Sequence, residues 1–190
     1  MFQTGHNVPD GYYKMEVPKT FNCASIFLDR HIEEGRGEKE AIYYGQQVIT
    51  YQEVYEQANK IGNALRNLNV ERENRVYLLL PDSPSLIFAM LGAMKIAAVP
   101  IPVNSRLPEQ SQEYMINDSR AKVVIVAEDL VDKVEKIKPR LKFVQHIIVD
   151  GESSSNYLKL SDIMSSASSE LESAETDRDE PAFWLYTSGS

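Results

Sequence analysis

Cysteine is almost missing from this chain of 190 residues: Cys23 stands alone. No disulfide can therefore close within it, and a reducing compartment, the cytoplasm, fits. Histidine is nearly as scarce. His6, His31 and His146 lie far apart, without the spacing that gathers ligands, so no metal site is expected. Basic residues are outnumbered, with 20 Lys and Arg against 28 Asp and Glu and a net charge of −8. No basic face is left over for a nucleic-acid backbone. Long uninterrupted apolar runs are absent too. Leu86 to Val103 comes nearest, but Lys95 interrupts it and Pro100 and Pro102 would break a helix there. A buried helix followed by a buried strand is the expectation, not a membrane span. Met1-Phe2-Gln3-Thr4-Gly5-His6 lacks the charged start and apolar core of a secretion signal. Without a secretion route, Asn117-Asp118-Ser119 carries no weight as a glycosylation acceptor. No internal repeat is visible.

What is present suits a globular α/β protein. Hydrophobic residues make up 43% and charged residues 25%, which are ordinary proportions. Residues 161–180 hold seven acids and one base, Arg178, so most of the net charge sits there. That stretch is also serine-rich, and the composition predicts a solvated linker. The expected organisation is an α/β subdomain over 1–160, the linker over 161–180, and a strand with the start of a loop over 181–190.

Local signals mark the elements. Asn22 caps a first helix, with Phe21 and Ile26 as a hydrophobic staple, and Gly35 ends it. Strands over Ala41–Tyr44 and Gln47–Tyr51 flank Gly45-Gln46, and Tyr43, Tyr44 and Tyr51 are expected to pack there. Thr50-Tyr51-Gln52-Glu53 is a capping box, followed by an apolar stripe of Val54, Ala58, Ile61, Leu65 and Leu68. Beyond it, short apolar strands at Val76–Leu80, Val99–Val103, Lys122–Ala127 and Phe143–Val149 alternate with helical stretches. Ser83-Pro84 opens one of these helices, and Lys95 is expected to snorkel near its end. A short helix over Leu158–Met164 follows. Continuous apolar strands are covered on both faces. The pattern predicts a doubly wound, mostly parallel sheet with helices on both faces, preceded by a helix and a β-hairpin.

Chemistry concentrates at the end of the chain. Asp179-Glu180-Pro181 introduces an apolar stretch, Phe183-Trp184-Leu185, which runs into Tyr186-Thr187-Ser188-Gly189-Ser190. Hydroxyls around a glycine, delivered by a buried strand, suit an anion: the hydroxyls donate and the glycine lets backbone N–H groups approach. A serine-rich surface turn is the bland alternative. Elsewhere, Gly35-Arg36-Gly37 follows a helix and not a strand, so it reads as a connector, and nothing near Cys23 would activate a thiolate.

Tyr186-Thr187-Ser188-Gly189-Ser190 after Asp179-Glu180-Pro181-Ala182 resembles the start of the phosphate-binding motif of the adenylate-forming, or AMP-binding, enzymes. Ile49-Thr50-Tyr51-Gln52-Glu53-Val54 and Leu91-Gly92-Ala93-Met94-Lys95-Ile96-Ala97-Ala98-Val99-Pro100-Ile101-Pro102 resemble two earlier motifs of that superfamily, in the same order. Phe21-Asn22, Leu28-Asp29-Arg30-His31 and Gly35-Arg36-Gly37 look most like the benzoate-CoA ligase group. Ala97 departs from the pattern where the family often has glycine, which touches helix-to-strand geometry. The resemblance implies the incomplete N-terminal domain of an ATP-dependent acid–CoA ligase, with ATP, Mg2+ and CoA as cofactors. Acid and ATP would give acyl-AMP and pyrophosphate, and CoA would then release AMP. Thr187, Ser188, Gly189 and Ser190 would contact the phosphates. The rest of that loop, the ribose-binding aspartate, the hinge and the later catalytic lysine are not among these residues. No catalytic residue is assigned within the chain, and alone it is expected to be inactive. The acid, the acceptor, the oligomeric state and whether Ser190 is a natural end are left open. Peptide-synthetase adenylation domains, fatty acyl-CoA synthetases and a non-catalytic α/β binding domain are the alternatives.

Overall fold

A computed structural model describes residues 17–152 and 156–187. The first helix starts where the cap predicts. Asn22 Oδ1 accepts from the Ala24 N–H at 3.0 Å, and a π-helical stretch, Ser25–Asp29, passes into α1, Arg30–Glu33. Gly35 stops it with φ of +69°. The Gly35 N–H bonds Ile32 O and the Arg36 N–H bonds His31 O, which is the Schellman pattern. Strands β1 (Glu40–Tyr44) and β2 (Gln47–Thr50) form the expected hairpin. Tyr43 and Tyr44 do not pack, however; both are exposed, because the turn end of the hairpin, residues 43–48, stands out in solvent on both faces. Tyr51 does pack, stacked on His31 with ring centroids 4.0 Å apart.

The capping box is present as read, and α2 runs over Tyr51–Asn67 with Val54, Ala58, Ile61 and Leu65 buried. Then β3 (Arg75–Leu79), α3 (Pro84–Lys95), β4 (Val99–Pro102), α4 (Glu109–Asp118), β5 (Val123–Ala127), α5 (Val131–Ile137) and β6 (His146–Asp150) alternate. Leu158 and Lys159 are not the start of the short helix. They form strand β7, parallel to β6, and α6 covers Leu160–Ser165. The last strand of the apolar series likewise begins later than its hydrophobic run, at His146.

The sheet is parallel throughout, in the order β4-β3-β5-β6-β7. The direction of winding reverses between β3 and β5, so α3 covers one face and α4 and α5 cover the other. Alternate residues of each strand therefore enter different cores. Val76, Leu78, Val123 and Ile125 meet Ile61, Leu65, Ala89 and Ala93, whereas Tyr77, Leu79, Val124 and Val126 meet Ile116, Val134 and Ile137. The buried Tyr77 hydroxyl is satisfied: Tyr77 donates to Gln112 Oε1 at 2.5 Å, and Gln112 Nε2 donates to Asn104 O at 3.0 Å.

Two glycines let α2 and α3 touch backbone to backbone. A Cβ on Gly92 would lie 2.5 Å from Ala58 O, and one on Gly62 would lie 3.0 Å from Gly92 O. Ala97 stands where the resemblance expects glycine, and its backbone shows why glycine suits the place. It sits after α3 with φ of +59°, the left-handed region that glycine enters freely. The expectation placed the cause in helix-to-strand packing; the backbone dihedral is the physical reason.

Candidate nucleotide-binding site

The chain reaches its last described residues by a route that composition does not suggest. Residues 168–180 are not a solvated linker; they lie as a strap across the domain. Asn59 and Asn63, one turn apart on α2, use their amides to hold Ser169 O at 2.7 Å, Ser168 O at 2.9 Å and Glu170 O at 2.8 Å. Leu171 is buried and fills the notch above Gly62. Ser173 Oγ donates to Asp29 at 2.6 Å, and Ala174 N donates to Lys95 O at 2.7 Å. Asn22 Nδ2 reaches both Met94 O and Ala174 O. Phe21 N bonds Thr176 O, Thr176 Oγ1 returns a bond to Phe21 O, and Thr20 pairs with Asp177 as an isolated antiparallel bridge. Arg72 clasps Glu180 at 2.6 and 2.7 Å and also donates to Glu175 O.

Lys95 is part of this anchorage. Instead of snorkelling, its side chain is 0% exposed, with Nζ 2.6 Å from Asp29 Oδ1 and 4.3 Å from the Tyr55 ring centroid. Burial lowers its pKa below the ordinary lysine value, and the Asp29 carboxylate opposes that fall.

From Glu180 the chain runs along the free edge of the sheet. Arg72, which holds Glu180, precedes β3; Ala97 and Ala98, before β4, share a cavity of about 70 Å³ with Pro181 and Ala182; Trp184 N then bonds Pro100 O at 3.0 Å. The direction is therefore parallel to β4, toward its carboxyl end. That single bond is not a ladder, and residues 183–187 are not a strand. Phe183, Trp184 and Leu185 are 42%, 43% and 55% exposed, so the expected buried strand is instead a half-covered flank.

Tyr186 and Thr187 point to different tasks. Tyr186 OH donates to Asp118 Oδ2 at 2.7 Å and lies 3.2 Å from Met115 O. Burial first, and the Asp118 carboxylate second, push its phenol above the usual range, so it anchors and does not trade protons. Thr187 is exposed with its hydroxyl available. Ser188, Gly189 and Ser190 lie outside the described residues. One hydroxyl is not a triphosphate cradle, which needs several converging donors. Among the described residues no three His, Cys, Asp or Glu side chains gather as metal ligands. Cys23 is half-buried, which raises its thiol pKa and keeps it inert. Among the described residues no helix is long and apolar enough to cross a membrane.

The anchors of the strap were the residues that motif reading overlooked. Asn59 and Asn63, four apart beside the apolar stripe of α2, were the available signal, since amides on a buried face need partners.

A parallel sheet wound in both directions, with a hydroxyl-bearing segment led to its carboxyl edge, is the arrangement in which α/β proteins bind ligands. Comparison with known proteins is in keeping with it. The family described as AMP-binding enzyme matches residues 28–190, and the chain belongs to that family. It is 31% identical over 172 residues to the 4-hydroxybenzoate–CoA/benzoate–CoA ligase of Rhodopseudomonas palustris, covering 90% of this chain and 32% of that protein. It is 34% identical over 177 residues to the acetyl-coenzyme A synthetase of Bacillus subtilis, covering 89% and 31%. Among solved structures, the anthranilate CoA ligase AuaEII in complex with anthranoyl-AMP superposes with a TM-score of 0.87 at 31% identity, covering 91% of this chain and 33% of that one. The chain thus spans about a third of the length of these relatives.

Proposed function

We propose that this chain contributes the N-terminal part of an AMP-forming acid–CoA ligase, with Thr187, Ser188, Gly189 and Ser190 as part of its ATP phosphate loop. The observation that carries the reading is the path of residues 180–187, which leads Thr187 along β4 toward the carboxyl edge of the sheet. The fit is chemical. A carboxylate is a poor acyl donor until its oxygen is esterified to AMP, and the α-phosphate accepts it only when phosphate charge is offset by fixed donors. A hydroxyl–glycine loop supplies such donors. Mg2+ would add a Lewis acid on the phosphate oxygens.

The described residues supply anchorage, not chemistry. Tyr186 tethers the loop to α4, the strap carries it, and no group here is placed to move a proton or bind an acid. We therefore assign to the longer ligase the complete reaction and to this chain alone no adenylation. The benzoate-type and anthranilate relatives favour an aromatic acid, and the single cysteine, Cys23, suits work in a reducing cytoplasm. Because an acetyl-coenzyme A synthetase is equally similar, the acid panel in a test must include acetate.

Isotope exchange between pyrophosphate and ATP is the assay. The 190-residue chain is expected to give background exchange with benzoate, anthranilate and acetate. A polypeptide that continues through the remaining loop and the later catalytic residues is expected to exchange, most strongly with an aromatic acid. Exchange by the short chain itself overturns the assignment of inactivity, and failure of the longer one with every acid overturns the ligase reading.

A further inference from the structure

The buried ion pair at the end of α3 joins three segments that are far apart in sequence. Lys95 lies in the last turn of α3, wholly removed from solvent, and Asp29, its partner, sits 66 residues earlier in the first helix with its side chain 15% exposed. Removing an ammonium from water costs several kcal/mol unless it is paired and its partner is itself satisfied. Asp29 divides its two oxygens accordingly. Oδ1 faces Lys95 Nζ at 2.6 Å and Oδ2 accepts from Ser173 Oγ, also at 2.6 Å. Lys95 grips the strap a second time through its carbonyl, which accepts from Ala174 N at 2.7 Å. The carbonyl before it, Met94 O, takes one hydrogen of Asn22 while the other goes to Ala174 O. Helix α3, the first helix and the strap therefore meet at one point, and each needs the other two to satisfy its polar atoms.

We propose that Asp29, Lys95 and Ser173 form a clasp whose task is to position the Tyr186–Thr187 segment, by fixing the strap that carries it to the edge of the sheet. Asp29 and Lys95 are positioning residues; neither touches a substrate. An ion pair that only filled the core would be replaceable by neutral side chains with little effect beyond global stability. A clasp predicts a local effect, confined to the strap and the segment after it.

Hydrogen exchange on the 190-residue chain separates the two. The variants are Ser173→Ala, which removes one hydroxyl, and the charge-free pair Asp29→Asn with Lys95→Met, which leaves no lone buried ion. A hydrogen bond to a charged acceptor supports an effect of about tenfold or more. The amides of Ala174, Arg178 and Trp184, which bond Lys95 O, Lys19 O and Pro100 O, are expected to exchange at least about tenfold faster in both variants. Those of Tyr77 and Val124 in the sheet interior should change less than about twofold. Equal acceleration of strap and sheet, or no acceleration of the strap, overturns the proposal. The consequence for nucleotide rests on the function proposed above and has its own readout. In the active longer polypeptide, Ser173→Ala should raise KM for ATP several-fold, leaving kcat and KM for the acid within about twofold. Local loosening of the strap without a change in KM for ATP would keep the clasp and remove the loop from nucleotide binding.

Discussion

Replacing Gly92 with alanine sets two effects of known sign against each other. In an exposed helix the change would stabilise, since alanine is favoured over glycine by about 1 kcal/mol. Here the new Cβ would stand 2.5 Å from Ala58 O, 3.0 Å from Gly62 N and 3.2 Å from Ile61 Cβ. Carbon and oxygen rest in weak contacts at about 3.3 Å or more, so α2 and α3 would have to separate by up to about 0.8 Å. All three neighbours are backbone or a stiff β-branched carbon, and none can swing aside. A gap of that size forfeits about a quarter to a half of the dispersion wells along the seam. That seam packs Ile61 and Leu65 into the same core as Ala89, Ala93 and Ile96, with Ala58 in the adjoining cluster of Leu28 and Val54. Overpacking of this kind costs about 1–3 kcal/mol and occasionally more. Because the obstacle is main chain, the upper end applies, and the net expectation after the propensity gain is a loss of about 2 kcal/mol. Urea unfolding of the 190-residue chain followed by far-ultraviolet circular dichroism measures it. Gly35→Ala is the control, because its Cβ would meet nothing within 4 Å and its only penalty is the φ of +69°. That substitution should cost about 1 kcal/mol, the left-handed strain less the entropy gained in the unfolded chain. A Gly92→Ala protein as stable as the wild type would refute the backbone contact between α2 and α3.

Two further outcomes come from local chemistry. His31 Nδ1 accepts from Arg36 Nε at 3.1 Å, and burial first, then the Arg36 charge, holds its pKa below 6.5. The unfolded chain therefore takes up this proton more readily. The stability contributed by neutral His31 is complete above pH 6.5 and is lost as pH falls through the lower folded value. His31→Phe, which keeps a ring against Tyr51, should flatten that acid limb, and an NMR titration midpoint at or above 6.5 would contradict the geometry. Thr50→Ala removes the acceptor that Glu53 N reaches at 3.2 Å and should cost about 1 kcal/mol, or about 2–4 °C in Tm for a chain of this size. An unchanged melting temperature would mean the capping box contributes nothing.

What could be read from the residues was whatever is decided within a few positions. Thr50 with Glu53, Ser83 with Pro84 and the stop at Gly35 are contacts between near neighbours, so their side-chain chemistry is visible before any fold exists. The parallel sheet was legible for a related reason, since Val76–Leu80 and Val123–Ala127 are apolar without alternation and so must be covered twice. The strap was not legible. Its serines and acids describe a solvated stretch, yet what holds it is mainly main chain, gripped by Asn59, Asn63, Asn22 and Arg72 from far away in sequence. Lys95 misled likewise: a lone charge in an apolar run says only that it must escape or find a partner, and Asp29 could not be nominated from 66 residues off. Of the site, the phosphate motif rests on the resemblance alone, while the half-covered flank of Phe183, Trp184 and Leu185 depends on how few ladder bonds the edge of β4 makes.

The embrace between the two extremities of the described chain has a bearing on its birth. Asn22 finds its partner at Ala174, 152 residues later. At synthesis rates of about 5–20 residues per second, the leading helix waits roughly 8–30 s for the tether that secures it. Throughout that interval Asp29 and Lys95 lack the serine hydroxyl that completes their group. Nascent intermediates with a finished sheet and a loose amino end are thus an inherent stage of biogenesis.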